Sequence, residues 1–469
     1  MKILIKKIVI SLLFTVMNAS VFSQSESDIR GTEDWLNIIR KEKFDLILPE
    51  VMKENDIDMW MHVARLAIPD DFAKEELGDI SGVFVFTRLE DGKIEKAALG
   101  RRWGYRWRDL EDNYDDPLEK CGCYDIIEKP IPVRQPTGSP MIEYDYRFKG
   151  LKEFVEARDP EKIAVNFMIE QGPWSTYVGA EDGISHTDYL LLSEEIGEKY
   201  SNRIVSSEHI LVDYLIRKVP SEIELIKRKR KEEVEEIIDI FNSVKPGLTT
   251  EKEAGITIFR RSKTGESQRG RSKGTMNRVI MGGDILAAPD QGIYAYVLRE
   301  GETHPPNEIQ ALWKEYLKIN KILAKSIRSG MTPFKIEKEY KDEFKKAGIL
   351  VRDEQLHMFN PKNNFPAYIN GFSKDMTHLS IDCHSMRIRK EEKSENHGPR
   401  IGSYGPYWTK EIPIPIYHHF VLEYFFYMPC ASDEYEDQYL FWWSHEQAIV
   451  GEGGVQYLSE PQKELYLIK

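Results

Sequence analysis

Two strong β runs close the chain, "YHHFVLEYFFYMP" and "QYLFWWSHEQAIV", both dense in aromatic and branched residues. Each is interrupted by a single glutamate, Glu423 in the first and Glu446 in the second. Further upstream, "ISGVFVFTRLEDGKIEKAAL" predicts two strands joined at the Asp91-Gly92 turn, and "KIAVNFMI" predicts another buried strand. At Pro220 the pattern changes to a helical one that runs to about Phe241, with proline at the start and acids in the first turn. Two more helices follow. "PPNEIQALWKEYLKINKILAKSI" places Ile309, Leu312, Leu317 and Ile322 near helical spacing, and "TPFKIEKEYKDEFKKAGI" offers Thr332 as N-cap, Pro333 at the first helical position and Gly348 at the end. Such a C-terminal half is α+β, with helices flanking a mostly antiparallel sheet.

The N-terminus breaks from this pattern. Lys2, Lys6 and Lys7 precede a mostly apolar stretch from Ile8 to Val16, too short to span a bilayer, and "NASVFSQ" supplies small residues for cleavage near Ser23. Residues 1–23 therefore read as a signal peptide, residues 24–218 as a smaller α/β domain and residues 219–469 as the larger C-terminal one. With no cysteine in the leader for lipid attachment and no later apolar stretch long enough to cross a membrane, the expectation is a secreted or periplasmic protein. The 469 residues carry a formal charge of -13 and a pI near 5.5, which argues against a nucleic-acid surface. The basic run Lys227-Arg-Lys-Arg-Lys231 is interleaved with Glu222, Glu224, Glu232 and Glu233, as on a solvated helix face. Cys121, Cys123, Cys383 and Cys430 read as structural, with their pairing open; "CGC" is too tight for an ordinary zinc site. The aromatic residues around Trp103 and Trp107 read as packing.

Carboxylates inside apolar strands are costly unless paired or bound to metal. Glu423 and Glu446 are two such groups, His378 and His384 flank "LSIDC" just upstream, and Asp290 lies before the strand-like run Ile293 to Leu298. One aspartate, two glutamates and one or two histidines converging on a sheet would suit divalent ions bridging a water.

The ordered wording of the chain sharpens this reading. "KIAVNFM", "DGISHTDYLLL", "NRIVSSEHILVDYLIRKVPSEIE", "AYVLREGE", "GPRIGSYGPY", "FVLEYFFYMP", "HEQAIVGEGGVQYL" and "ELYLIK" occur in sequence order from about Lys162 to Lys469. In these stretches the chain resembles the creatinase, aminopeptidase P and methionine aminopeptidase superfamily, the pita-bread metallopeptidases, and is most similar to the Xaa-Pro aminopeptidase branch. The resemblance implies a C-terminal pita-bread domain with a curved, mostly antiparallel sheet, preceded by a creatinase-like α/β domain. It also implies one or two Mn, Zn or Co ions, a short peptide substrate and a homodimer. Carried over residue by residue, the metal set is Asp290, His378, Glu423 and Glu446, with His384 and Glu423 catalytic.

The sequence departs from the family pattern in three places. "GDILAAPDQGIYAYVLREGE" is about a dozen residues shorter than expected, so Asp290 aligns either as the first or as the second of the two family aspartates, and Asp284 is the residue that turns the chain. A charged insertion, "RIRKEEKSEN", leaves His397 as a rival to His384. The upstream loop "TGESQRGRSKGTMNRVI" carries Lys273 where a histidine is usual. Three functions are compatible with this sequence: an Xaa-Pro aminopeptidase-like hydrolase, weak or mononuclear; a non-catalytic relative that binds peptide or a carboxylated ligand in the same cleft; and a structural dimer module.

Overall fold

The computed structural model describes residues 32–66, 70–103, 116–132, 147–171, 182–258, 277–353, 373, 375–386, 398–430 and 439–469. The expectations for the signal peptide, Trp107, Lys273 and His397 fall outside these residues.

The N-terminal half is built on a six-stranded sheet. Its strands are β1 (Met59–Ala64), β2 (Gly82–Arg88), β3 (Ile94–Leu99), β4 (Ile126–Ile127), β5 (Ile163–Val165) and β6 (Ile204–Ser206), in the order β4-β3-β2-β1-β5-β6. Only β2 runs antiparallel to its neighbours. β1 and β2 meet at the centre as nearly continuous apolar runs because both faces are covered. Helices α1 (Thr32–Leu46) and α3 (Glu208–Ile216) pack on one face through Phe44, Leu211 and Tyr214, and α2 (His186–Ser201) packs on the other through Leu192 and Ile196. The expected β2–β3 hairpin forms with Gly92 at φ 84° in its turn. The cysteine pairing left open by the sequence is Cys121 with Cys123, while Cys383 and Cys430 are buried free thiols.

Helix α4 (Pro220–Ser243) leads into the C-terminal half and packs against a four-stranded sheet. That sheet has the order β15-β9-β8-β7, from β7 (Thr257–Ile258), β8 (Ile285–Ala288), β9 (Ile293–Val297) and β15 (Tyr466–Ile468). A second sheet joins β10 (Ile349–Val351), β11 (Thr377–Ser385), β12 (His419–Pro429), β13 (Tyr439–Gly451) and β14 (Gly454–Tyr457) in chain order, and all its pairings but β10–β11 are antiparallel. Helices α5 (Asn307–Ser326) and α6 (Pro333–Lys346) cover one face of it.

The buried stripe of α5 differs from the one read off the sequence. Ile309, Leu312, Trp313, Tyr316, Ile319, Asn320 and Leu323 face the sheet, whereas Leu317 and Ile322 lie at the margin. Spacing of aliphatic residues alone misses this stripe, because its centre is aromatic and one member, Asn320, is polar. Thr332 does occupy the N-cap of α6, yet its side chain makes no capping hydrogen bond. Among the described residues no helix is long and apolar enough to cross a membrane.

Candidate functional site

The site is set by the register of β12 against β13. Glu423 lies directly opposite His445, and Leu422 opposite Glu446. Side chains alternate along a strand, so each opposed pair shares a face and successive pairs take opposite faces. The face packed against α5 takes Leu422, Tyr424 and Phe426 from β12 and Trp442, Ala448 and Val450 from β13. Glu446 belongs to that face. Glu423 and His445 point the other way.

On the face away from α5 a compact group assembles. β11 contributes His384, in register with Val421 and therefore on the Glu423 side of the sheet. His384 Nε2 is 3.2 Å from Glu423 Oε2, and its Nδ1 is 3.0 Å from the Ser385 carbonyl oxygen. The indole N–H of Trp443 donates to Glu423 Oε1 at 3.2 Å. His445 Nε2 is 4.0 Å from Glu423 Oε2, and the two imidazole centroids are 5.6 Å apart. One ligand atom from each of His384, Glu423 and His445 lies within 4.8 Å of the others.

Asp290 joins this group from outside the sheet. It sits in the tight turn Pro289–Gln291 between β8 and β9, which rests on β13. Two contacts hold that hairpin in place: the Tyr294 hydroxyl donates to the Trp443 carbonyl at 3.0 Å, and Gln291 reaches Glu233 of α4 at 3.2 Å. Asp290 Oδ1 is thereby 2.9 Å from His445 Nδ1. Asp284, read as the residue that turns the chain, accepts the Met281 backbone N–H at 2.8 Å.

The structure does not bring the other two sequence-derived metal residues here. Glu446 is buried among α5 side chains, where the Tyr316 hydroxyl and the Asn320 amide approach its Oε2 at 3.3 and 3.4 Å. Burial pushes its carboxyl up to about 8, against smaller opposing pulls from the Tyr316 hydrogen bond and then from Arg230. His378 is on the Glu423 side but six residues from His384 along β11, about 20 Å at strand rise. Its Nε2 accepts the Ser373 backbone N–H at 2.8 Å. Asp382, another buried acid on β11, is taken up by Arg400 through two hydrogen bonds of 2.6 and 2.8 Å.

Sequence reasoning missed His445. The signal for it was its place one residue before Glu446, which becomes informative only when the strand register is known. Beside the group runs an aromatic row: Trp443 stacks on Phe425 at 5.9 Å and 3°, and Phe425 stacks on Phe441 at 6.4 Å.

These residues can be tested against the two-ion centre that the resemblance implies. A pair of bridged ions needs several carboxylates on one face, and here Glu423 is the only glutamate of the pair that faces the group. The residues present do not fit two ions. They fit one, through two imidazoles and a carboxylate.

No family model matches the chain, and no curated protein matches it in sequence. Solved structures do match it in shape. An X-Pro aminopeptidase from Thermotoga maritima superposes with a TM-score of 0.51 at 12% identity, over 89% of this chain and 100% of that one. A Bacillus anthracis protein assigned as an aminopeptidase P gives 0.51 at 12% identity, over 89% and 95% of the two chains. The superpositions cover most of the chain and show its fold: the chain has the pita-bread fold of these aminopeptidases.

Proposed function

We propose that the chain is an Xaa-Pro aminopeptidase-like hydrolase that removes the N-terminal residue from short peptides. The observation that carries this reading is the placement of Glu423, a buried carboxylate flanked by His384 and His445 on the face of a pita-bread sheet away from its covering helices. One carboxylate oxygen is fixed by the Trp443 N–H, leaving the other directed at the two imidazoles. That arrangement suits a general base, with His384 near enough to exchange a proton with it or steady a developing oxyanion. A divalent cation held by these residues would supply Lewis acidity toward the scissile carbonyl. The stacked Phe425 and Trp443 offer an apolar wall beside Glu423, a surface suited to a pyrrolidine ring.

The test is hydrolysis of Xaa-Pro dipeptides and tripeptides by the mature protein, compared with Glu423→Gln. Turnover lost in the variant supports the proposal. Equal inactivity of both proteins removes it and leaves a peptide- or carboxylate-binding relative, which equilibrium binding of the same peptides would reveal.

A further inference from the structure

We propose that this chain binds a single divalent transition-metal ion through His384 Nε2, Glu423 Oε2 and His445 Nε2, and that Asp290 orients His445 without touching the ion. The inference deepens the proposed hydrolase and rests on that reading for the purpose of the site.

Each imidazole has its proton placed by a neighbour. His384 Nδ1 faces the Ser385 carbonyl, an acceptor, so this nitrogen carries the proton. A neutral ring then turns the lone pair of Nε2 toward Glu423 Oε2, 3.2 Å away. Two acceptors at that distance repel unless a positive charge lies between them, either an added proton or a cation. On the other side, a carboxylate 2.9 Å from His445 Nδ1 favours the proton on that nitrogen, which again leaves Nε2 with a lone pair toward Glu423. Three lone pairs converge from three strands.

The spacing of the three atoms suits an ion. Ligand atoms ~2.1 Å from a four-coordinate ion stand about 3.4 Å apart. The two separations to Glu423 Oε2, 3.2 and 4.0 Å, bracket that value. A histidine ligand whose other nitrogen meets a carboxylate is also the usual outer arrangement of such sites, because it fixes the tautomer and raises the basicity of the ring. Asp290 fills that place for His445, and the Ser385 carbonyl fills it for His384.

Stoichiometry and selectivity follow from what is absent from this face. Glu446 faces α5, Asp382 is engaged by Arg400, and His378 accepts a backbone N–H, so no second ligand set is assembled on this face among the described residues. The other grouping of such residues, Glu170, Glu208 and His209 in the N-terminal half, has two exposed members, and its Glu208 carboxylate already accepts the backbone N–H groups of Glu170 and Gln171. Two imidazoles and one carboxylate suit Zn²⁺ or Co²⁺ better than Mn²⁺ or Mg²⁺, which prefer oxygen-rich shells.

The experiment is metal binding by the chelator-stripped, mature chain, read by calorimetry with Zn²⁺, Co²⁺ and Mn²⁺ alone, by metal analysis after dialysis, and by the Co²⁺ visible spectrum. The expected result is one equivalent of Zn²⁺ or Co²⁺ per chain, with Mn²⁺ at least ~100-fold weaker. His445→Ala abolishes binding, Asp290→Asn weakens it about 10–100-fold at unchanged stoichiometry, and Glu446→Gln leaves it unaltered. Circular dichroism confirms that each variant is folded, and Asp290→Asn is the decisive one because its side chain is 42% exposed and does not support the core. Two equivalents, no binding, or an Asp290→Asn affinity equal to that of the parent would overturn the inference. Metal bound without peptide hydrolysis would remove the hydrolase reading alone, whereas hydrolysis by a chain that binds no metal would remove this inference alone.

Discussion

The two faces of the β12–β13 ribbon put the same residue type to opposite uses. On the α5 face, Glu446 is enclosed by Tyr316, Asn320 and Tyr294, and burial holds its carboxyl up to about 8, so at neutral pH it is predominantly an uncharged hydrogen-bonding group. On the opposite face, Glu423 has two imidazoles and an indole N–H as its neighbours in place of the α5 hydroxyl and amide. Both glutamates are nearly inaccessible to solvent. Burial therefore does not distinguish a reactive carboxylate from a structural one. The neighbours do, and a single residue of register chooses them.

The sharpest way to break this contrast is Glu423→Gln. If Glu423 is the general base, kcat/KM on an Xaa-Pro dipeptide falls by about 10²–10⁴, with the fold intact by circular dichroism. A loss of less than about tenfold would place the chemistry elsewhere.

Next in size is Gly292→Ala. Gly292 adopts φ 66°, and a Cβ there would lie 2.6 Å from the Glu446 carboxyl carbon. The variant meets both left-handed strain and a clash, and the expected loss of stability is about 1–3 kcal/mol by denaturant unfolding. Because Gly292 also ends the turn that carries Asp290, a parallel loss of metal affinity would show that the two faces are mechanically joined at this hairpin.

A smaller effect comes from His418, immediately before β12. Its Nδ1 contacts the Ile216 carbonyl of α3 at 3.2 Å, linking the two halves of the chain. Burial, with a lesser push from Lys218, lowers it to about 4. The neutral ring in the folded chain and the protonated ring in the unfolded chain make its contribution fully present above the ordinary value near 6.5 and lost as pH falls through about 4. Unfolding free energy between those limits should fall with pH by up to about 1.4 kcal/mol per unit for this group. His418→Asn should flatten that slope in pH-dependent melts without altering turnover at neutral pH.

The smallest expected effect is that of Glu446→Gln. An amide replaces an acid already held uncharged, so turnover should stay within about threefold of the parent. A large loss of activity would mean that the α5 face takes part in catalysis, and the contrast between the faces would fail.

Much of the fold is visible in the residues themselves. β12 and β13 stand out as aromatic runs, α4 is announced by Pro220, and the β2–β3 hairpin follows from Asp91-Gly92. β11, which carries His384, is not among the strands the pattern predicts, although His384 and Glu423 are each legible as candidates by residue type. The facing of Glu446 is not legible. An amphipathic strand reveals its inner face by alternation, but β13 is apolar on both sides, with Trp442 and Trp443 adjacent and oppositely directed, so nothing in its composition marks parity. His445 escaped notice for the same reason. Asp290 could be placed in a turn from Pro289 and Gly292, but its partner lies 155 residues further along the chain (445 - 290) and depends on how the hairpin docks.

Adjacency in the chain has one more consequence. His445 and Glu446 are consecutive yet occupy opposite sides of one ribbon, so a one-residue slip of β13 against β12 would turn this stretch over and exchange their faces. The site would then receive a carboxylate in place of an imidazole, and its preference would move toward oxygen-loving ions. The α5 core would receive the imidazole. In this architecture metal taste is a matter of counting: a slip of one residue, with no change in side-chain identity at either position, would suffice to rewrite it.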